Sequence, residues 1–392
     1  MKNLIIISPG ILPVPATEGG AIENLIQNFI NQNEYEKRVK IHLFSIYSKE
    51  AYKKSLKYKY CKFYFIEIDR YKYKLSRYTR YLINRFSKNY YGNAYINEVV
   101  KKLRNIEKID RILIENKPEY SIILMKYGFE NINLHLHNDL INSDTKHSDK
   151  ILSYNNKIIT VSKFIANRVN SVKEYTNIDV VYNGINLETF TKNIEVKKKI
   201  DIMNKYNISE EDRIIIYSGR ITKEKGVKEL ILAFNKLNEK FKNIKLLIIG
   251  GISYSNNSSN KFFEEIKGIS NNNVIFTGYI DYDEINKLYS LGYFGVVPSI
   301  GIDAAPLSTI ELLVSKMPVI VSSSGGIKEL IDEKCGLVVN IDDEYIENLA
   351  KDMTKLLLDN ELRSNMSYFA YKRGQRYSIL NYYNNLISKL IY

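Results

Sequence analysis

The chain has 392 residues, of which 45% are hydrophobic and 26% are charged, with a net charge of +13. This length predicts two or three domains at about 150 residues each, and the composition excludes disordered, collagen-like and disulfide-stapled proteins. The two cysteines, Cys61 and Cys335, form neither a disulfide framework nor a zinc-ligand cluster, which favours a reducing cytoplasm. No apolar run reaches the ~18 residues that a spanning helix needs, so any membrane contact would be peripheral.

Short β-branched runs alternate with segments of helical periodicity, which is typical of parallel sheets covered by crossover helices. The first run ends at Ser8–Gly10 and at Pro13, so we interpret it as a strand and not as a signal peptide. The first half is predicted to form strands at Asn3–Ile7, Lys40–Ile46, Lys62–Ile68, Arg111–Glu115, Asn131–His137, Lys157–Val161 and Asp179–Tyr182, with helices at Ala21–Asn31, Ala94–Ile106 and Lys163–Tyr175. These elements indicate a doubly wound domain over residues 1–190.

The second half repeats this architecture. Strands are predicted at Arg213–Tyr217, Lys245–Ile249, Asn273–Phe276, Tyr293–Val297, Pro318–Val321 and Gly336–Val339, and helices at Val227–Glu239, Tyr282–Ser290, Ser308–Ser315 and Ile327–Ile331. A second doubly wound domain therefore covers residues 200–370. The tail from Tyr345 to Tyr392 is predicted to form two or three helices without strands, and its residues 371–392 are expected to return to the first domain. The fold class is α/β, with two Rossmann-like domains facing a cleft and ligands bound at the carboxyl ends of the strands.

The net charge is concentrated in one segment of the first half. Between Tyr52 and Tyr91, twelve basic residues stand against two acidic ones, which accounts for +10 of the +13. The rest of the chain is nearly neutral, so the basicity belongs to this segment and not to the fold. A solvated helical hairpin and a docking surface for an anionic partner both explain it.

The strand Arg213–Tyr217 is followed by a loop that carries two cations. Arg220 and Lys225 leave the strand end together and precede an amphipathic helix. Two fixed cations beside the positive end of a helix suit a diphosphate, because Arg grips two oxygens and Lys adds a compact charge. The alternative is a basic loop that only faces water, and charge alone does not separate the two interpretations.

Another polar loop follows the fourth predicted strand of the second half. Pro306 suits the start of a helix, which places Asp303 on the loop and Glu311 about one turn inside the helix. Carboxylates in these positions would repel phosphate but accept hydrogen bonds from sugar hydroxyls. The small Ala304 and Ala305 would let backbone amides approach a ligand. The alternative interpretation is a helix cap and a solvated helix side chain.

Two features of the first half also indicate ligand contact. Gly19 and Gly20 precede a helix and could present N–H groups to an anion, although a tight turn explains the pair equally well. Alternation sends His135 and His137 to one face at a strand end. A packed, hydrogen-bonded role is expected for one of them, and no carboxylate motif supports a metal site formed by the pair.

Together these segments resemble the retaining glycosyltransferases of family 4, which have the GT-B fold. The resemblance covers most of the chain and is carried by Leu12–Pro15 with Gly19–Glu23, His135–Asp139, Val181–Ile185, Gly219–Gly226, Pro298–Glu311, and Met317–Ile320 with Gly325–Glu329. The opening loop looks like the spore-coat and cell-surface-polysaccharide branch of the family. The order and spacing of the segments, more than any one of them, make the resemblance specific.

The resemblance implies roles for the residues that match. Arg220 and Lys225 would neutralise the donor's diphosphate, so neither a metal ion nor a cofactor is expected beside the nucleotide-sugar co-substrate. Glu311 matches the second glutamate of the family's E-x7-E motif and would bind the donor ribose. Asp303 stands where the first glutamate belongs and would contact hydroxyls of the transferred sugar. The shorter Asp303 departs from the family pattern and leaves the identity of the sugar open.

The remaining site residues are implied in the same way. His137 would lie near the transferred sugar, with His135 as the alternative, and both glycines of the Gly19-Gly20 pair would line the phosphate and acceptor side. Further donor contacts are implied for Gly219, Ala304, Ala305, Pro306 and Leu307. Retention of the anomeric configuration is implied through front-face attack, in which the leaving phosphate helps to deprotonate the acceptor hydroxyl. The catalytic set is therefore His137, Arg220, Lys225 and Asp303, without a covalent nucleophile.

The sequence is thus interpreted as a retaining hexosyltransferase that uses a nucleotide-diphosphate sugar, with UDP favoured, and a cell-surface polysaccharide or lipid-linked glycan as acceptor. A bacterial cytoplasmic protein that also binds the inner face of the membrane would explain the basic segment. The residues assigned to that contact are Lys53, Lys57, Lys72, Lys74, Arg77 and Arg80. The alternatives are a sugar-nucleotide epimerase or phosphorylase of the same fold, and a non-catalytic polyanion binder. Nucleic acid is not an expected partner, because no RNA-binding motif is visible.

Overall fold

A computed structural model describes residues 1–68, 83–84, 90–175, 177–252 and 261–391 of the chain. The chain divides into two compact units. The first unit is formed by Met1–Asn183 together with Ile379–Tyr392, and the second by Gly184–Ser378. The chain therefore leaves the first unit once and comes back to it at the end of the second.

These bounds differ from the predicted domains, which ended at residue 190 and began their returning segment at residue 371. Residues 184–190 belong to the second unit because the Phe190 ring packs against Tyr282 and Tyr289, with centroids 5.7 and 5.8 Å away. Residues 371–378 also stay with the second unit. There Arg373 donates hydrogen bonds to the carbonyls of Glu329 and Leu330 at 2.9 and 3.0 Å.

The first unit is built on a seven-stranded parallel sheet with the order β3-β2-β1-β4-β5-β6-β7. Its strands are β1 (Lys2–Ile7), β2 (Val39–Ile46), β3 (Cys61–Ile66), β4 (Arg111–Glu115), β5 (Ile132–Leu136), β6 (Lys157–Thr160) and β7 (Ile178–Val180). The helices between them are α1 (Ala21–Glu36), α2 (Lys49–Ser55), α3 (Ala94–Leu103), α4 (Tyr120–Lys126), α5 (Ser148–Tyr154) and α6 (Lys163–Asn170). Residues Leu4–Ile7 of β1 are a continuous apolar run and not an alternating one, because helices cover both faces of a parallel sheet.

The second unit is built on a six-stranded parallel sheet with the order β10-β9-β8-β11-β12-β13. Its strands are β8 (Arg213–Ser218), β9 (Ile244–Ile249), β10 (Val274–Gly278), β11 (Gly292–Val297), β12 (Val319–Ser322) and β13 (Gly336–Val339). Its helices are α7 (Leu187–Thr191), α8 (Val196–Lys205), α9 (Val227–Lys240), α10 (Lys261–Gly268), α11 (Tyr282–Tyr289), α12 (Leu307–Val314), α13 (Tyr345–Leu358) and α14 (Asn360–Gly374). Short 3-10 turns lie at Lys223–Lys225, Ile327–Leu330 and Gln375–Tyr377.

The last helix, α15 (Ile379–Ile391), packs against α1 in the first unit. The hydroxyl of Tyr383 donates to Asn33 Oδ1 at 2.7 Å, and Arg111 Nε donates to the carbonyl of Leu390 at 3.0 Å. The Phe29 ring lies 5.0 Å from the Tyr383 ring in the same apolar layer. One layer of the first core is thus supplied by residues that follow the whole second unit in sequence.

Both sheets reverse their strand order at one place. In the first sheet β1 lies between β2 and β4, and in the second β8 lies between β9 and β11. Loops that leave neighbouring strands in opposite directions leave a crevice at the carboxyl edge, where open α/β sheets bind ligands. The loops that follow β1 and β4 in the first unit, and those that follow β8 and β11 in the second, are therefore the expected positions for ligand-binding residues.

The predicted strands of both halves are all present, with ends that shift by at most two residues. Among the elements of the described residues, six helices were not predicted, namely α2, α4, α5, α7, α8 and α10. Within the described ranges, no helix is both long enough and apolar enough to cross a membrane.

Candidate functional site

The loop after β8 carries Arg220 and Lys225 and leads into α9. Gly226 precedes this helix with φ at +68°, a left-handed conformation that favours glycine. A Cβ atom on Gly226 would lie only 1.9 Å from the carbonyl oxygen of Pro298 in the loop after β11. Glycine is therefore required here both by the backbone conformation and by the close approach of the second loop.

Hydrogen bonds hold these two loops together. The backbone N–H groups of Ile300 and Gly301 both donate to the carbonyl of Glu224, at 3.0 and 2.9 Å. A side chain of α13 also holds the loop after β11, because the Tyr345 hydroxyl donates to the carbonyl of Pro298 at 2.9 Å. Backbone hydrogen bonds between the two loops, together with the Tyr345 hydroxyl, thus set the geometry of this crevice.

Lys225 and Asp303, predicted as members of one site, form an ion pair. Lys225 Nζ lies 2.5 Å from Asp303 Oδ2, and the hydroxyl of Ser299 donates to the same oxygen at 3.1 Å. The backbone of Asp303 is fixed as well, because its carbonyl accepts from the N–H of Gly326 at 2.9 Å. The Lys225 side chain is 23% exposed and that of Asp303 is 12% exposed, so the pair lies at the edge of solvent.

Arg220 lies on the same loop and faces solvent more than Lys225 does. Its side chain is 43% exposed, and Nη2 is 3.9 Å from Glu224 Oε1, which makes a loose surface pair. The loop is held at its start by Tyr217, whose hydroxyl donates to the carbonyl of Arg220 at 2.6 Å. Arg220 is therefore a long, accessible cation on an anchored backbone.

Glu311 lies in the interior of the second unit, inside α12, and is only 4% exposed. The hydroxyl of Tyr289 donates to its Oε2 at 3.0 Å. Burial raises the pKa of the Glu311 carboxyl to about 7, although hydrogen bonds from Tyr289 and Tyr282 act in the opposite direction. The alternative of a solvated helix side chain is therefore wrong for Glu311, and Asp303 is not the helix cap either, because Pro306 occupies that position.

The small residues between these carboxylates lie where the sequence placed them. Ala304 and Ala305 are 4% and 7% exposed, and Leu307 is the first residue of α12. Gly219 begins the other loop, directly after β8. The donor-side residues predicted for the second half therefore all lie on two adjoining loops and the helix that follows.

A pocket of about 300 Å³ opens beside these loops, at the carboxyl ends of β8, β9 and β10. Its lining includes Ile221, Gly250, Phe263, Lys267, Phe276 and Thr277. Ile221 directly follows Arg220, so the pocket and the exposed cation are neighbours. The sequence analysis missed this pocket, although the Gly250-Gly251 pair at a strand end was a usable signal.

In the first unit, a carboxylate and two histidines meet at the ends of β4 and β5. His137 Nε2 lies 2.8 Å from Glu115 Oε2, and His135 Nδ1 lies 3.1 Å from the same oxygen. Among the described residues, these three form the group whose potential metal-ligating atoms all lie within 4.8 Å of one another. Glu115 is the carboxylate partner that the sequence analysis did not find, because β4 and β5 are neighbours only in the folded sheet.

Burial and charge set the protonation of this group. Desolvation and the neighbouring His135 lower the pKa of His137 to about 4, against a raising effect of Glu115, so the imidazole is neutral at pH 7. Burial raises the pKa of Glu115, but the two histidines outweigh it and bring the pKa down to about 2. The arrangement at neutral pH is thus a buried carboxylate that accepts from a neutral imidazole.

Gly19 and Gly20 lie on the loop after β1, at the switch point of the first sheet. Both have positive φ, +81° and +96°, and Gly20 immediately precedes α1. A Cβ on Gly20 would lie 2.2 Å from Glu23 Oε2, so this carboxyl folds back over the loop. Burial raises the pKa of Glu23 to about 7, and the charge of Glu115 adds to the effect.

Of the residues assigned to a membrane contact, the structure describes Lys53 and Lys57. Both are exposed, on α2 and just after it, beside Tyr52 and Leu56, which are 48% and 69% exposed. Lys72, Lys74, Arg77 and Arg80 lie outside the described residues. The described start of the basic segment is therefore α2 and the residues just after it, where exposed lysines lie beside the exposed Tyr52 and Leu56, and β3 follows.

Residues 198–373 match the family described as Glycosyl transferases group 1. This match, over just under half of the chain, identifies residues 198–373 as a glycosyl transferases group 1 domain. This domain contains both loops of the second unit and the buried Glu311. The resemblance inferred from the sequence is confirmed at this level.

Curated relatives of this glycosyltransferase domain extend the comparison. The chain is 31% identical to an uncharacterized glycosyltransferase of Methanocaldococcus jannaschii, over 45% of this chain and 44% of that protein. It is 26% identical to a putative glycosyltransferase of Bacillus subtilis, over 92% and 84% of the two chains. It is 25% identical to the lipopolysaccharide 1,2-N-acetylglucosaminetransferase of Salmonella typhimurium, over 52% and 54%. The chain thus spans about half the length of the first and third of these relatives.

Solved structures place the whole chain in the GT-B fold. A glycosyltransferase from Rickettsia africae superposes with a TM-score of 0.76 at 19% identity, covering 99% of this chain and 98% of that one. HepE from Anabaena, solved in complex with UDP-glucose, gives a TM-score of 0.74 at 14% identity, covering 100% and 99%. At such identities the likeness establishes the fold, and it confirms the predicted class of two Rossmann-like domains with a helical tail.

Proposed function

We propose that this chain is a retaining glycosyltransferase that moves a sugar from a UDP-sugar to a cell-surface polysaccharide or a lipid-linked glycan, without a metal ion. The observation that carries the proposal is the meeting of Arg220, Lys225 and Asp303 on two locked loops at the switch point of the second sheet. Support for UDP comes from the fold shared with HepE, which was solved with UDP-glucose. Support for a glycan acceptor comes from the lipopolysaccharide transferase among the relatives.

The charges on these loops suit a nucleoside diphosphate. Arg220 and Lys225 leave β8 beside the N-terminus of the 14-residue helix α9, whose dipole adds positive potential. A diphosphate would compete with Asp303 for Lys225 and release that carboxylate to accept hydrogen bonds from sugar hydroxyls. The cations thus stabilise the departing diphosphate, which is the role a divalent metal would otherwise fill.

The pocket beside Arg220 suits the base of the donor. Its volume of about 300 Å³ is at the lower end of small-molecule sites, and it is lined by the aromatic rings of Phe263 and Phe276. A planar base can occupy such a pocket while the diphosphate extends toward Arg220. The buried Glu311 lies on α12, which follows the second loop, and is assigned to the donor ribose.

The proposed reaction needs no covalent intermediate with the protein. A bond forms between the acceptor oxygen and the anomeric carbon as the bond from that carbon to the phosphate oxygen breaks. The proton of the acceptor hydroxyl passes to the leaving phosphate oxygen, so both events occur on one face of the sugar and the configuration is retained. His137 is assigned to the transferred sugar.

A thermal-shift panel of UDP-, GDP-, ADP- and dTDP-sugars tests the donor assignment. Ligand that binds only the folded state raises the melting temperature by mass action, so the UDP-sugars should give the largest shift. A larger shift with another nucleotide would overturn the choice of UDP. No shift with any of them, in a folded protein, would overturn the glycosyltransferase proposal itself.

The stereochemical assignment is tested on the product. With an acceptor glycan and the donor found above, NMR of the first product should show the anomeric configuration of the donor. An inverted product would contradict the front-face mechanism. Epimerised donor without transfer would favour the epimerase alternative.

Membrane docking by the exposed face of α2 is a separate part of the proposal. Each lysine near an anionic surface contributes about 1 kcal/mol, so Lys53→Ala with Lys57→Ala should weaken binding to anionic vesicles by roughly 30-fold. The matched control removes two lysines from α3, as Lys101→Ala with Lys102→Ala. Equal sedimentation with neutral and anionic vesicles, or an equal effect of the control, would refute docking at this face.

A further inference from the structure

We propose that Glu115 is a positioning residue that fixes the tautomer of His137, so that Nδ1 of this histidine is presented as a hydrogen-bond acceptor. The inference deepens the proposed function and rests on it for the identity of the reaction. Glu115 is the last residue of β4 and belongs to none of the motifs found in the sequence. The juxtaposition arises only when β4 and β5 pair in the sheet.

The geometry determines which nitrogen carries the proton. A neutral imidazole has one N–H, and a carboxylate accepts hydrogen bonds without donating them. His137 Nε2 lies 2.8 Å from Glu115 Oε2, so Nε2 is the donor and Nδ1 holds the lone pair. Nδ1 is buried and has no hydrogen-bond partner among the described residues.

The main chain of His137 is held by Asn116, the residue next to Glu115. The N–H of His137 donates to Asn116 Oδ1 at 3.0 Å, and Asn116 has a positive φ of +52°. Glu115 and Asn116 thus hold the side chain and the main chain of His137 from one strand end. The imidazole is therefore restrained by Glu115, and the main chain that carries it is restrained by Asn116.

Besides His137, three titratable groups of the described part of the chain surround Glu115. These are His135, whose Nδ1 is 3.1 Å from Oε2 but not aligned for a hydrogen bond, Glu23 on α1, and Tyr382 on α15. His135 lies against His137 with ring centroids 4.1 Å apart, and the Tyr382 ring stacks on the far side of His135 at 6.3 Å. His135 is thus enclosed and 0% exposed, which leaves His137 as the histidine at the edge of the cluster.

A metal ion is the competing explanation for the same three residues. Zinc bonds of about 2.0–2.2 Å in tetrahedral geometry keep neighbouring ligand atoms more than about 3 Å apart. The distance of 2.8 Å between His137 and Glu115 is instead that of a charge-assisted hydrogen bond. The distance therefore favours a hydrogen bond between His137 and Glu115 over coordination of a metal ion, and metal binding is one outcome of the test.

The direct test is nitrogen-15 NMR of the full chain labelled at its four histidines, with His137→Gln to assign the resonance. At neutral pH the wild type should carry its proton on Nε2 of His137, with Nδ1 unprotonated. A proton on Nδ1, or on both nitrogens, would overturn the inference. The protonation state is read from the wild type, and where His137→Gln does not fold, His42→Gln, His135→Gln and His147→Gln assign the remaining resonance by elimination.

The second test compares Glu115→Gln with a control that removes another histidine partner, Tyr64→Phe. The Tyr64 hydroxyl lies 3.1 Å from His42 Nδ1. These two residues are on β3 and β2, which are separated from β4 and β5 by β1, so they lie outside this cluster. Glu115→Gln should change the His137 resonances and lower kcat by roughly 10- to 100-fold, as for loss of a partner that orients a histidine, with the donor thermal shift retained. Tyr64→Phe should change only the His42 resonances.

An unchanged kcat in folded Glu115→Gln would refute the positioning role. Stoichiometric binding of Zn²⁺ that is lost in Glu115→Gln, together with loss of transfer on chelation, would show a metal site in its place. If no donor supports transfer by the wild type, the proposed function fails, and the tautomer measurement still confirms or overturns the role of Glu115 by itself.

Discussion

The buried carboxyl of Glu311 should make the second unit less stable as the pH rises. Burial raises its pKa to about 7 from an ordinary value of 4.5. The native state therefore holds this proton more tightly than the unfolded chain does, so stability is fully present below about pH 4.5 and is lost as the pH rises through about 7. Glu311→Gln removes the titration and keeps an oxygen that can accept from Tyr289.

The difference between the two pKa values sets the size of the effect. Each pKa unit corresponds to about 1.4 kcal/mol, so the variant should be more stable than wild type by about 1 kcal/mol at pH 5 and about 3 kcal/mol at pH 8. In a domain of this size, 1 kcal/mol moves the melting temperature by about 2–4 °C. The advantage of the variant should therefore grow by roughly 4–8 °C between pH 5 and pH 8.

Differential scanning calorimetry of both proteins at pH 5, 6, 7 and 8 measures this advantage, because all other titrating groups are common to the pair. Glu347→Gln is the matched control, since Glu347 is a 63% exposed glutamate of α13 that pairs with Lys236. Its melting temperature should differ from wild type by less than about 2 °C at every pH. An advantage of Glu311→Gln that is the same at pH 5 and pH 8 would refute the reasoning.

Three further outcomes are expected. Gly226→Ala should destabilise the second unit by more than about 2 kcal/mol, because the added Cβ would meet the Pro298 carbonyl. The control Gly268→Ala has open space around it and should not lower the melting temperature. Equal melting temperatures of the two variants would contradict the loop packing. Arg220→Ala and Lys225→Ala should each reduce kcat/KM by roughly 100-fold, or about 3 kcal/mol, and near-normal turnover in both would remove the diphosphate assignment. Transfer should stay within about twofold of its rate after chelation by EDTA, and loss of activity that Mg²⁺ restores would disprove metal independence.

Local signals were enough to predict where the candidate donor-side residues lie in the fold. Arg220 and Lys225 follow a clear strand and precede a clear helix, so their joint position at a strand end could be inferred without knowing the sheet order. The same holds for Asp303, which lies between a strand and a helix that begins near a proline. The positions of side chains on one loop follow from the strand before it and the helix after it, without knowledge of the rest of the fold.

Contacts between distant elements could not be predicted in this way. The burial of Glu311 depends on Tyr289, which comes from α11 and reaches α12 only after both helices pack on the sheet. Glu115 meets His137 because β4 and β5 are neighbours in the sheet, and parallel pairing leaves no mark in either strand. Helix α4 was missed for a different reason, since Tyr120–Lys126 is an almost continuous apolar run without the polar face that helical periodicity requires.

The return of α15 to the first unit has a consequence for synthesis on the ribosome. The first sheet and α1 emerge early, but the helix that covers Phe29 and satisfies Asn33 follows only after residues 184–378 have been made. At about 5–20 residues per second, that delay is on the order of tens of seconds, during which an apolar strip of the first unit stays open to water. The first unit therefore completes its apolar core only after the whole second unit has been synthesised.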